Sequence, residues 1–137
     1  MSQSSSAAVY EAIPGGKELL EWFGQVPSFH DAEILDLHLK REGASTLRIH
    51  AWNITSKVRN GYFVLEKHAV VEFAIGGIVN LELDDFNHQN AIDELTLSRV
   101  KYKESLEVYE VVLEPAYGLA GFIQAIELSV SHRPGNP

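Results

Sequence analysis

Two hydrophobic periods divide this chain at about residue 33. Before that point, Leu19, Trp22 and Phe23 recur at the i, i+3, i+4 spacing that places side chains on one face of an α-helix. After it, apolar and polar residues alternate with the period of two that is typical of half-buried β-strands. The pattern therefore predicts one short helix over 17–23, ended by Gly24, followed by a mostly β domain.

The first two alternating segments predict an antiparallel hairpin. A three-residue loop at 42–44 would place Leu39 opposite Leu47 and Leu37 opposite Ile49, which keeps the apolar faces together. On the outer face, this register would pair His38 with Arg48 and Asp36 with His50, and we interpret that set as solvated ion pairs rather than a metal site.

Two glycine-containing pairs predict further turns. Asn60-Gly61 is a strong signal for a two-residue hairpin, so 53–69 is expected to be a protruding hairpin or a long loop. Gly76-Gly77 is interpreted as a second turn, with Phe73 opposite Leu81 and Glu72 opposite Glu82.

Strands are also predicted from Leu95 to Tyr102, from Leu106 to Glu114 (where Pro115 would end the ladder) and over 122–131. The expected fold is α+β and mostly β. It is an antiparallel sheet of about seven strands, curled or barrel-like, with one N-terminal helix packed on it. Residues 1–9 are expected to be a loose tail, 10–132 a single domain and 133–137 a second tail.

Charge and composition narrow the function classes. The 137 residues carry a formal net charge of −8 and contain no cysteine. An acidic domain is repelled by phosphate backbones, so we expect no nucleic-acid partner. The absence of cysteine fits a reducing cytoplasm and excludes thiolate chemistry. No segment has the length and apolarity of a membrane helix or the pattern of a signal peptide, so we expect a cytoplasmic protein without a membrane partner.

Histidines and carboxylates supply the few candidates for chemistry. His30 and Asp31, with Glu33, stand at the entrance to the first strand, and His88 lies in a polar connector after residue 83. Such groups serve as metal ligands and as acid–base catalysts, so one interpretation is a small-ligand or metal-binding module, with or without enzymatic activity, where these two motifs meet. The alternative is that they form local hydrogen bonds. The chain contains no P-loop, zinc helix motif or nucleophile elbow, and therefore we predict no enzyme, metal or cofactor.

Three segments together resemble a known family. They are the tryptophan followed by PSFHDAE over 22–33, the strand TLRIH over 46–50, and LDDFNHQN over 83–90. They are similar to the immunity protein 50 family of bacterial polymorphic toxin systems. The resemblance implies a small, mostly β, non-catalytic protein of the cytoplasm that binds and neutralises a cognate toxin domain.

The resemblance and the acidic charge lead to specific expectations. A basic toxin would suit an acidic partner, and we expect Trp52, Tyr62, Glu72 and Glu82 to contact it. The motif residues are expected to be structural: Phe29, His30, Asp31, Glu33, Asp85, Asn87, His88 and Asn90. In particular, His30, Asp31 and Asn87 would join the helix–strand corner to the 84–90 connector through backbone hydrogen bonds. A homodimer formed through an exposed sheet edge is a third alternative.

Overall fold

In the described part of the chain, two short helices precede six antiparallel strands. The computed structural model describes residues 6–137, with only the backbone of Ile54. The elements are α1 (Ser6–Ala12), α2 (Gly16–Phe23), β1 (Glu33–His38), β2 (Ser45–Arg59), β3 (Tyr62–Asp84), β4 (Ala91–Lys103), β5 (Leu106–Tyr117) and β6 (Ala120–Pro134). The predicted mostly β, antiparallel fold is confirmed. No helix within residues 6–137 has the length and apolarity needed to cross a membrane.

The strands form one strongly curled sheet in the order β1-β2-β3-β6-β5-β4. The two ends of this order meet at a short seam, where Glu33 pairs with Ala91. Three further backbone hydrogen bonds of 2.8–2.9 Å hold the seam, joining 31–34 to 90–92. The sheet therefore closes on itself along only a few residues, and this places the start of β1 beside the start of β4.

Both helices contribute to the core. Leu19 and Phe23 of α2 are buried, which confirms the predicted helical face, and Gly24 ends the helix with a φ of 75°. Helix α1 corrects the prediction of a loose tail over 1–9 for its described part, because Val9 and Tyr10 are buried and Tyr10 lies 6.4 Å from the ring of Phe73. Residues 1–5 lie outside the described residues. Tertiary burial is what makes this seven-residue helix stable, since its length is too short for a free helix in water.

The β1–β2 register differs from the predicted one by two residues. Leu37 pairs with Leu47 rather than with Ile49, and Leu39 is exposed outside β1. The hydrophobic pattern could not detect this shift, because a displacement of two residues leaves each side chain on the same face. The observed register places Asp36 opposite Arg48, and their side chains form a bidentate ion pair with an Nε–Oδ2 distance of 2.9 Å.

The predicted turn at Gly76-Gly77 is wrong, because β3 continues through it. Gly76 pairs with Glu127 and Ile78 with Ala125, so β6 accompanies β3 on both sides of the glycines. Gly77 has a φ of 65°, and a Cβ there would lie 3.2 Å from the Ile126 side chain. The two glycines therefore allow β3 to bend and to approach β6 closely, without reversing the direction of the chain. The two predicted strands are halves of β3, and counting them separately accounts for the predicted total of about seven.

The Asn60-Gly61 turn is confirmed. Both residues have positive φ, at 54° and 81°, and Arg59 pairs with Tyr62 across the turn. Sheet pairing by β6 begins at Ala69, and pairing of β2 by β1 ends at His50. The segment 53–67 is therefore a two-stranded extension beyond the sheet, and we call it the hairpin.

The last three strands are longer than the pattern predicts. β4 begins at Ala91, and β6 extends to Pro134, so the predicted C-terminal tail at 133–137 begins two residues later. The prediction ends β5 at Pro115, but the strand continues past this proline to Tyr117. Pro115 is tolerated because β6 pairs with β5 only over Tyr109–Leu113, and the β4 register shifts beside the proline.

Candidate partner-binding surfaces

Asn90 organises the connector between β3 and β4. Its side chain is almost fully buried, at 3% exposure. Its Oδ1 accepts hydrogen bonds from the backbone N–H groups of Asn87, at 3.1 Å, and Leu119, at 3.0 Å. Its Nδ2 donates to the backbone carbonyl of Asn87 at 2.6 Å. One carboxamide thus joins the 85–90 connector to the loop between β5 and β6, and this holds both loops in one arrangement.

Neighbouring residues complete this arrangement. Asn87 Oδ1 accepts from the Gln89 N–H at 3.0 Å, and Asn87 Nδ2 donates to the Asp85 carbonyl at 2.9 Å. Gly118 has a φ of 87°, and a Cβ built there would lie 2.5 Å from Asn90 Oδ1. Only glycine fits at that position without displacing the carboxamide.

The corner before β1 is held by main chain and by a buried ring. Phe29 is buried with its ring 6.1 Å from that of Phe73. The Asp31 N–H donates to the Ile92 carbonyl at 2.8 Å, whereas its carboxylate is 59% exposed and faces His30 at 3.6 Å. This bond joins the corner to β4 rather than to the 84–90 connector, and the Asp31 main chain makes it, not the Asp31 carboxylate.

In the structure, His30 contacts nearby aspartates and does not line a ligand-binding pocket with the other motif. Its Nδ1 lies 3.2 Å from both the carbonyl and the Oδ1 of Asp93, and the ring is half exposed. Within residues 6–137, no three His, Asp or Glu side chains are arranged to hold a metal ion. The depression beside the 85–90 connector is lined by Asp85 and Asn87 but not by His30, Glu33 or His88. The predicted meeting of the two motifs around a pocket is thus not observed in this part of the chain.

Two exposed aromatic rings border that depression. Phe86 is 55% exposed and Tyr117 is 54% exposed, and Pro115 also lines the depression. The depression has a volume of about 590 Å³ and is open to solvent. Exposed aromatic side chains of this size are typical of protein–protein interfaces.

Carboxylates surround these rings. Asp84 and Asp85 precede Phe86, and Glu94 pairs directly with Glu114 across β4 and β5. Asp93, next to Glu94 in the chain, lies with its Oδ1 3.2 Å from His30 Nδ1. Arginine and lysine are absent from the contributing segments, because none occurs between Lys67 and Arg99 or between Lys103 and Arg133. We call this surface the acidic end, and it comprises Asp84, Asp85, Phe86, Asp93, Glu94, Glu114 and Tyr117.

The hairpin is a second exposed apolar surface, with a different charge. Tyr62 is 78% exposed, and the cross-strand pair Val58 and Phe63 is 62% exposed at each residue. Lys57, Arg59 and Lys67 outnumber the single acid Glu66 within 53–67, so the hairpin carries a formal charge of +2, from three basic residues minus one acidic residue. It is aromatic and protruding but it is not acidic.

An aromatic cluster supports the base of the hairpin. His50 Nε2 lies 3.1 Å from His68 Nδ1, and the Trp52 ring packs edge-on against His50 with centroids 4.9 Å apart. Burial lowers the pKa of His50, and the neighbouring His68 lowers it further, while Glu33 and a hydrogen bond with Asn136 act in the opposite direction. Trp52 is half-buried by this packing, which leaves part of its ring for a partner.

The four residues expected to contact a partner do not form one surface. Tyr62 is at the tip of the hairpin and Trp52 at its base. Glu72 lies beside Arg48 in the β2–β3 ladder, whereas Glu82 pairs with Phe122 of β6. Because Glu72 and Glu82 are ten residues apart on one strand, they are separated by up to about 33 Å rather than facing each other.

Sequence reasoning missed Phe86, Glu114 and Tyr117 as surface residues. Phe86 lies inside a motif that we interpret from the sequence as structural, and Tyr117 lies beyond the predicted end of its strand at Glu114. One available signal was the absence of lysine and arginine from the long segments 68–98 and 104–132. The topology brings parts of both segments together at one end of the sheet.

Comparison with known proteins places the chain in a family. No match was found among curated proteins or solved structures. The model of the family described as "Immunity protein 50" matches residues 15–113, which is 99 of the 137 residues. This range includes α2, the corner before β1, the hairpin and the 85–90 connector. The chain therefore belongs to the immunity protein 50 family.

Proposed function

We propose that this protein neutralises a cognate toxin domain by binding it, without catalysis, in the cytoplasm. The observation that carries the proposal is membership of an immunity protein family over most of the folded chain. Immunity by binding needs a stable surface that occludes the toxin, and it needs no bound cofactor or catalytic group of its own.

The surface of the protein supports this function. Two exposed aromatic surfaces, the acidic end and the hairpin, extend from a well-packed core. Each offers the large rings that dominate binding energy when a partner buries them. Within residues 6–137, no cluster of metal-ligating side chains supports the alternative of a ligand or metal module centred on His30, Asp31, Glu33 and His88.

Rescue and co-purification test the proposal. The test uses a toxin-like C-terminal domain encoded beside this gene, identified from the genome; it is expressed with and without this protein, and growth is measured. We expect growth to be restored and the two chains to co-purify in a defined ratio. Continued toxicity in the presence of soluble protein would contradict the proposal. Light scattering on the free protein separately tests the homodimer alternative.

A further inference from the structure

We propose that the acidic end is the surface that binds the toxin domain, and that its partner is a basic protein surface with an apolar pocket for Phe86. This inference rests on the proposed function and adds to it the location of the interface and the charge of the partner. It follows from three observations: the exposed rings, the loops that hold them, and the distribution of charge.

The exposed rings are held in place before any partner arrives. Phe86 lies within the connector that Asn90 and Asn87 fix through five hydrogen bonds, and Tyr117 immediately precedes Gly118 and Leu119 in the loop that Asn90 also holds. A rigid anchor loses little conformational entropy on binding, so more of its burial appears as affinity. An exposed phenylalanine on a rigid loop has no role in the core, and its ring offers a partner a large apolar area.

The charge around the rings specifies the partner. Asp84, Asp85, Asp93, Glu94 and Glu114 bring five formal negative charges to the strand ends, and the segments that contribute them contain no lysine or arginine. Glu94 and Glu114 face each other directly, an arrangement that costs stability in the free protein. Basic side chains of a partner would relieve that repulsion on binding and would be attracted over a distance.

The hairpin is the alternative binding surface, and its charge distinguishes it from the acidic end. Its formal charge of +2 would repel the basic partner that the acidic end attracts. The hairpin tip and the 84–85 carboxylates also lie at opposite ends of β3, so one compact contact does not cover both. The hairpin therefore provides a matched control surface with similarly exposed aromatic residues.

Binding measurements on charge-neutralised variants test this assignment. The probe is the neighbouring toxin domain carrying an inactivating substitution, and rate constants are measured at several salt concentrations. The test variant carries Asp84→Asn, Asp85→Asn, Glu94→Gln and Glu114→Gln. The matched control carries Glu11→Gln, Glu18→Gln, Glu21→Gln and Glu42→Gln, four exposed positions elsewhere that change the net charge equally. Asparagine at 85 also tolerates the positive φ of 66° that Asp85 adopts.

Neutralising the acidic end should lower the association rate constant about tenfold at low salt and flatten its salt dependence, while the control variant keeps most of both. Phe86→Ala should raise the Kd about 30-fold, mainly through faster dissociation, whereas Phe63→Ala in the hairpin should leave it nearly unchanged. Melting temperatures at or above that of the wild type will show that the variants are folded.

The outcomes separate the interface from the function. Wild-type rescue and binding, with equal affinity for both charge variants and for Phe86→Ala, would overturn the interface while leaving the proposed function standing. Loss of binding with Phe63→Ala alone would move the interface to the hairpin. Failure of the wild-type protein to rescue or bind would overturn both proposals.

Discussion

The Asn90 carboxamide and the Leu119 backbone are joined by a hydrogen bond of 3.0 Å between residues 29 positions apart. The bond connects the β3–β4 connector to the β5–β6 loop, and the same oxygen also accepts from Asn87. Both sides of the acidic end therefore depend on one buried side chain.

Replacing Asn90 by alanine should destabilise the protein strongly. The substitution leaves the Leu119 N–H buried without its acceptor and removes two bonds to Asn87, so we expect a loss of about 2–3 kcal/mol in the free energy of unfolding. Urea denaturation measures it. Gln89→Ala, in the same connector but exposed, is the control and should change stability by less than about 0.5 kcal/mol. Equal effects of the two substitutions would contradict the role assigned to Asn90.

Alanine at Gly118 should test the close packing against this carboxamide. Gly118 and Gly43 have similar positive φ values of 87° and 79°, but of the two only Gly118 would bring an added methyl group within 4 Å of other atoms, the nearest being Asn90 Oδ1. Gly43→Ala should cost about 1 kcal/mol for backbone strain alone. Gly118→Ala should cost clearly more, because its methyl group would also displace the Asn90 carboxamide and the Gln89 carbonyl, which would lie 2.5 Å and 2.6 Å away. Comparable losses in thermal or urea unfolding would show that the carboxamide yields easily.

The stability of the protein should not depend on the charge of Asp31. Its carboxylate is exposed, and its main chain makes the bond to Ile92, so Asp31→Asn should change the free energy of unfolding by less than about 0.5 kcal/mol. Asp31→Ala should cost about 1 kcal/mol because alanine is disfavoured at a φ of 64°, and Asp31→Gly should not incur that strain. A large loss with Asp31→Asn would instead indicate a structural role for the carboxylate.

Acidification should lower the free energy of unfolding through protonation of His50. Burial and the nearby His68 place the pKa of His50 below its ordinary value of 6.5. The unfolded chain therefore binds a proton more readily, so the contribution of neutral His50 is present above pH 6.5 and is lost as the pH falls towards the lowered folded-state pKa. We expect the free energy of unfolding to fall as the pH is lowered below about 6.5. His50→Gln should reduce this slope.

The control for the pH effect is His38→Gln, because His38 is exposed and lies outside the aromatic cluster. That variant should retain the wild-type slope. A wild-type slope in His50→Gln would show that another group causes the acid sensitivity.

Local sequence determined the elements whose cause is local. The i, i+3, i+4 spacing of Leu19, Trp22 and Phe23 specifies α2, because a helix that short is stable only when that face is buried. Asn60-Gly61 specifies its turn because both residues accept positive φ. Alternation likewise determined that the fold is mostly β, since it records which face of each strand is buried. Short connections favoured antiparallel neighbours, because parallel strands need long crossovers.

Tertiary structure decided what alternation leaves open. A period of two cannot distinguish Leu37 opposite Ile49 from Leu37 opposite Leu47, and the Asp36–Arg48 pair accompanies the second register. Gly76-Gly77 permits a turn or a bend, and continued pairing with β6 makes it a bend. The acidic end is tertiary in the same sense. Phe86 and Tyr117 are 31 residues apart in the chain, and only long-range strand pairing and the Asn90 hydrogen bonds bring them to one depression.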